Sequence, residues 1–180
     1  MTLARALRRD LQRWERTPRP PSLSRMLEMV AIFPGVQAIV LLRLQLASQA
    51  TAHWRLANVL SVVNIRLTGA EFVPGCRVGA GLVMRHPQGI VVGHGAEIGD
   101  DCTILQHVTL GESYADGESG DHSYPTLGSR VVVGAGAVIL GGIRVEDHAV
   151  VGANAVVTKD VSKGDVVVGV PARSRCENSR

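Results

Sequence analysis

At 180 residues, with 46% hydrophobic and 19% charged side chains, the chain is long enough for one domain with a sizeable core and too apolar for intrinsic disorder. Aromatic residues make up only 3% while glycines number 20, so the interior is expected to be Val, Ile, Leu and Ala in a backbone with many tight corners. The net charge of +3 has no aromatic stacking platform beside it, which argues against nucleic acid, and three scattered cysteines exclude a disulfide framework and a cysteine-based metal site. That odd cysteine count, and the arginines interrupting the first ten residues where a signal peptide is apolar, point to a reducing, cytoplasmic setting.

Residues 3–16 set Leu3, Leu7, Leu11 and Trp14 at helical spacing with arginines on the other face, which predicts an amphipathic helix. Thr17-Pro18 and Pro20-Pro21 end it. The positive charge is concentrated here, with Arg5, Arg8, Arg9, Arg13, Arg16, Arg19 and Arg25 against Asp10 and Glu15. Packing on the other helices or on a partner subunit is the expected role of this helix, and contact with an acidic membrane surface stays open as the second. A further apolar helix is expected from near Ser22, bent or broken at Pro34-Gly35, and another from about Thr51 to Leu67. The apolar stretch Met29–Leu42 is 14 residues long, short of the roughly 20 that span a bilayer.

After Gly69 the period becomes six. Aliphatic residues recur at Val92, Ile98, Ile104 and Leu110, then at Leu127, Val133, Ile139, Val145, Val151 and Val157. Four residues after each stands a compact one: Ala96, Cys102, Val108, Val131, Ala137, Ile143, Ala149, Ala155. An earlier, less regular set runs Phe72, Val78, Met84, Ile90. Neither a helix nor an alternating strand has this period; a three-sided parallel β-helix does, each hexapeptide making one short side and one corner. Cys76 and Cys102 fall on interior positions and read as core. The helical first third can cap one end of such a stack, and Gly169-Val170-Pro171 turns away from the other. The expected division is an α-helical segment at 1–68, a β-helix at 69–173 and a tail at 174–180. The period breaks once, at GESYADGESGDHSYPT, residues 111–126, an irregular insertion of the kind that carries function.

The stretches GIVVG, ILQHVTLG, VVVGAGAVILGGI and VVGANAVVTKDV, with the closing GVPAR, make residues 69–173 resemble the serine acetyltransferases and their relatives among polysaccharide and natural-product cluster O-acetyltransferases. The resemblance implies a mainly β, left-handed parallel β-helix, acetyl-CoA as co-substrate and a homotrimer or a pair of trimers with sites between subunits. It implies His86 as catalytic base and Glu71, fifteen residues earlier, as its orienting carboxylate. With about eighteen residues per coil, those two are expected on adjacent rungs, roughly 5 Å apart in height. A histidine suits the chemistry: an attacking hydroxyl must lose a proton and a departing thiolate must gain one. By matched position Gly111, Ala135 and Ala153 border the pantetheine arm, and Lys159 and Arg173 are the cations nearest the CoA phosphates. The histidines His86, His94, His107, His122 and His148 follow no ligand spacing, so no metal is expected.

The departures from the resemblance all concern the acceptor. The family's aspartate before the catalytic histidine is Arg85 here, the N-terminal Asp-Pro element reads ERTPRPP, and the loop's Arg-His-Pro is Ser123-Tyr124-Pro125. The tail ends CENSR, without the isoleucine by which serine acetyltransferases dock into cysteine synthase. With both poles of amino-acid recognition missing, the expected acceptor is a sugar or small-metabolite hydroxyl, read by Arg85, His107, Glu112, His122 and Tyr124. Serine acetylation is the alternative.

Overall fold

The computed structural model describes residues 2–113 and 123–175. Four helices come first: α1 (Leu3–Glu15), α2 (Leu23–Ile32), α3 (Pro34–Ala50) and α4 (Trp54–Thr68). Their limits follow local chemistry. The Ser22 hydroxyl accepts the Arg25 amide to start α2, Pro34 opens α3 at its first helical position, and Gly69 ends α4 with φ +80°. The expected break at Pro34-Gly35 is a turn of 108° between α2 and α3.

From Glu71 onward short parallel strands wind a three-sided left-handed β-helix. The first side stacks Phe72, Val92, Leu110, Ile139 and Val157 in register, the second Val78, Ile98, Leu127 and Val145, and the third Ile104, Val133, Val151 and Val167. The period-six aliphatics are thus the columns of the interior. The compact residues four positions on fill the corners between columns, all buried except Ile143, which is half-buried on the turn after Gly141. Each buried aliphatic removes enough surface to stabilise the stack by about 1.5–3 kcal/mol.

The helices close one end of the stack through polar contacts as well as packing. Gln45 from α3 and Ser61 from α4 both donate to the Phe72 carbonyl on the first coil, at 2.9 and 2.8 Å. Asp10 of α1 and Arg43 of α3 form a buried two-pronged pair at 2.7 and 2.9 Å. Asp10 also accepts the amides of Gly81 and Leu82, and Arg43 donates to the carbonyls of Val78 and Gly79. Burial pushes the Asp10 carboxyl up, against the guanidinium and the two amides that favour its charge. The arginine face of α1 is also partly spent inside the molecule: Arg9 pairs with Asp101, and Arg13 donates to the carbonyls of Gly81 and Cys102. Among the described residues no single helix is long and apolar enough to cross a membrane.

Candidate active site

His86 owes its exposure to a fault in the repeat. On the third side Val83 pairs with Thr103, and on the first side Val91 pairs with Thr109. Seven residues therefore lie between Val83 and Val91 where five lie between Thr103 and Thr109 one coil on. The two extra residues widen the corner, and Arg85 and His86 stand out of it, exposed. The sequence carried this signal as Met84, Ile90 and Val92, a slip of two in an otherwise six-residue register.

Further along the same corner the coils are regular. Amides of His107, Gly136 and Asn154 donate to the carbonyls of Gln88, Gln106 and Ala135 below them, at 2.9, 2.9 and 2.8 Å. Gly89, His107, Gly136 and Asn154 all have positive φ at this edge. A side chain on Gly89 would run into the His107 imidazole. Ala135 and Ala153 lie on this same edge, next to Gly136 and Asn154.

The other expected site residues lie elsewhere on the chain. Glu71 sits on the first side in register with Val91, and no hydrogen bond or ion pair joins it to His86 among the described residues. Its rung neighbour is twenty residues on, so a separation of fifteen ends at the preceding corner and not above it. Gly111, Glu112 and Tyr124 occupy the opposite corner, between the first and second sides, where the Tyr124 hydroxyl donates to Glu112 at 3.2 Å and the ring covers Gly93. The second Glu112 oxygen is buried with no hydrogen bond among the described residues. Lys159 and Arg173 line one hollow of about 360 Å³ at the far end of the stack. His122 lies outside the described residues. Arg85 and His107 thus share the His86 corner, while Glu112 and Tyr124 do not.

Beside His86 is a cavity of about 540 Å³ lined by Trp14, Glu15, Thr17, Arg25, Phe33 and Arg85. One Arg85 N–H donates to the Trp14 carbonyl at 2.9 Å, and the guanidinium lies 5.3 Å from the Trp14 ring centroid. Glu15 accepts from Arg25 at 2.6 Å. Trp14, Glu15 and Arg25 were not among the residues expected near His86, since neither the apolar spacing that marks Trp14 nor the missing aspartate in ERTPRPP shows that these side chains line the same cavity. The close approach that joins them is visible at Gly35, where a side chain would collide with the Met84 carbonyl and the Trp14 ring.

Burial pushes the Cys76 and Cys102 thiols up to about 12 and about 11, so both stay protonated at neutral pH and neither serves as a nucleophile. Among the described residues no group of three or more His, Cys, Asp or Glu side chains is placed to hold a metal.

Residues 124–159 match the family described as bacterial transferase hexapeptide (six repeats). A serine acetyltransferase of Helicobacter pylori J99 is 41% identical over 154 residues, covering 86% of this chain and 88% of that one. One of Mycobacterium tuberculosis is 41% identical over 162 residues, covering 86% of this chain and 66% of that one. Among solved structures, soybean serine acetyltransferase complexed with serine superposes with a TM-score of 0.84 at 35% identity, covering 96% of this chain and 69% of that one. The Brucella abortus serine acetyltransferase in complex with coenzyme A gives 0.85 at 34%, covering 96% and 67%. These relatives correct the acceptor expected from the sequence. They favour serine over a sugar or small-metabolite hydroxyl, and the cysteine-biosynthesis type of enzyme over the polysaccharide-cluster type. The departures at Arg85 and in the loop are single positions, whereas the cavity beside His86 is lined from three separate segments.

Proposed function

The chain belongs to the serine acetyltransferase family of hexapeptide-repeat transferases, and from that premise we propose that its acceptor is L-serine. It is an O-acyltransferase with acetyl-CoA as co-substrate. The observation that carries the serine reading is the 41% identity to serine acetyltransferase over 86% of this chain.

Acetyl-CoA supplies the activated acetyl group. His86 takes the proton of the serine hydroxyl as that oxygen bonds to the acetyl carbon, and returns it to sulfur as the carbon–sulfur bond breaks. An imidazole titrates near neutrality and serves both halves of that exchange. The edge at Ala135 and Ala153 is suited to the pantetheine arm, which arrives at the His86 level along it. The hollow holding Lys159 and Arg173 offers cations for the phosphates.

Glu71 and the Glu112–Tyr124 corner belong to the same site through assembly. Within one chain the two corners flank the first side and do not meet. A trimer that sets the His86 corner of one copy against the first side and opposite corner of the next brings Glu71 to the imidazole, where it fixes the tautomer and stabilises the imidazolium.

The test is thiol release from acetyl-CoA with L-serine. We expect turnover that falls about 10²–10⁴-fold in His86→Ala. Mixed assemblies of His86→Ala and Glu71→Ala chains should recover part of the activity, since one kind of interface then holds both groups. Unchanged turnover in His86→Ala would remove it as the base; no rescue in mixed assemblies would place both groups in one chain's site.

A further inference from the structure

The cavity beside His86 contains charges of both signs, from three separated segments. Glu15 is the last residue of α1, Arg25 lies in the first turn of α2, and Arg85 directly precedes His86. Resting on the serine reading, we infer that this cavity holds an α-amino-acid acceptor with its two charges exchanged relative to the pattern of the resemblance. The carboxylate lies on Arg85 and the ammonium on Glu15.

Arg85 is prepared for the first contact. Its guanidinium is held by the Trp14 carbonyl and the indole face, so little freedom remains to be lost when a carboxylate docks. A fixed guanidinium presents paired N–H groups that match the two oxygens of a carboxylate. Among the described residues Glu15 is the one carboxylate lining the cavity, and its side chain is only 16% exposed. The ERTPRPP turn lacks an aspartate before its proline, yet its first residue is this glutamate, so the turn still delivers an acid to the site. Arg25, which also pairs with Glu28 at 2.8 Å, holds Glu15 in place through one of its two oxygens. Arg25 is shared between Glu15 and Glu28, whereas Arg85 has no carboxylate partner among the described residues, so the cavity favours an acceptor that brings a carboxylate over a bare amino alcohol. The rings of Trp14 and Phe33, 6.1 Å apart, make the apolar wall.

Steady-state kinetics with L-serine, L-serinamide and 3-hydroxypropanoate test this in the unsubstituted enzyme and in Arg85→Met and Glu15→Gln. Arg85→Met should raise KM for L-serine about 10- to 100-fold, with kcat changed only a few-fold and KM for L-serinamide held. Glu15→Gln should raise KM for L-serine but not for 3-hydroxypropanoate, which has no ammonium. KM for acetyl-CoA and the melting temperature report whether each variant is folded. An L-serine KM that is unchanged or improved in Arg85→Met overturns the exchanged-charge inference and leaves the serine reading standing. No turnover of L-serine by the unsubstituted enzyme overturns both.

Discussion

Replacing Asp10 with asparagine keeps the shape and one carbonyl oxygen while removing the charge from the pair with Arg43. Asp10 is fully buried and Arg43 is 3% exposed, so water cannot take the place of the lost carboxylate. The Arg43 guanidinium would retain its bonds to the Val78 and Gly79 carbonyls but lose its only counter-charge among the described residues. Breaking a buried pair from one side costs about 3–5 kcal/mol. At roughly 2.1 cal/mol/K per residue, a chain of 180 residues unfolds with an entropy of about 0.4 kcal/mol/K, so the thermal midpoint should fall by about 8–13 °C. Circular dichroism melts at fixed protein concentration measure this. Combined with Arg43→Met, the loss should be smaller than the sum of the two single losses by about 1–3 kcal/mol. A midpoint within about 3 °C of the unsubstituted protein, or strict additivity, would refute the clamp.

Two further outcomes follow from contacts near the site. Gly35→Ala should cost about 1–3 kcal/mol and lower kcat, because the new methyl presses on the Met84 carbonyl two residues before His86; urea unfolding with initial rates checks it, and equal stability would show that the contact yields. The Arg9 guanidinium beside Asp101 holds that carboxyl below its usual range, so the pair's contribution is complete above the unfolded carboxylate value near ~3.9 and is lost as pH falls through the folded one. Arg9 is half exposed, so Arg9→Gln should lower stability by no more than about 1 kcal/mol at pH 7 and by progressively less as pH falls through the folded carboxyl value; a difference constant with pH would contradict the pairing.

The β-helix was legible because its interior admits one kind of side chain every sixth residue. Phe72, Val92, Leu110, Ile139 and Val157 had to be apolar to share one column, and the sequence spells that out. The helices were legible within a few residues from Ser22, Pro34 and Gly69. The partners of Asp10 and Glu15 were not: Asp10 falls between Leu7 and Trp14 on the apolar stripe of α1, yet helical spacing cannot name Arg43, thirty-three residues on, or the Arg25 that Glu15 meets from the next helix. The cavity beside His86 was not legible either, because Glu15, Arg25 and Arg85 come from three separated segments and meet only in the folded chain. Glu71 is in register with Val91, twenty residues on, so the fifteen-residue offset to His86 spans less than one coil.

The wider corner at His86 has a consequence for how such a solenoid acquires chemistry. The strands on either side of it pair as though nothing had been added, since the stack recovers its phase by Val91. A two-residue insertion at a corner therefore changes what the surface presents while the interior columns stay as they were. By the same logic, removing two residues between Met84 and Ile90 would leave a well-formed rod whose histidine has been drawn back into the wall. What the surface presents and what the columns bury are thus separable at this corner, and the unit of change is the pair of residues that it holds.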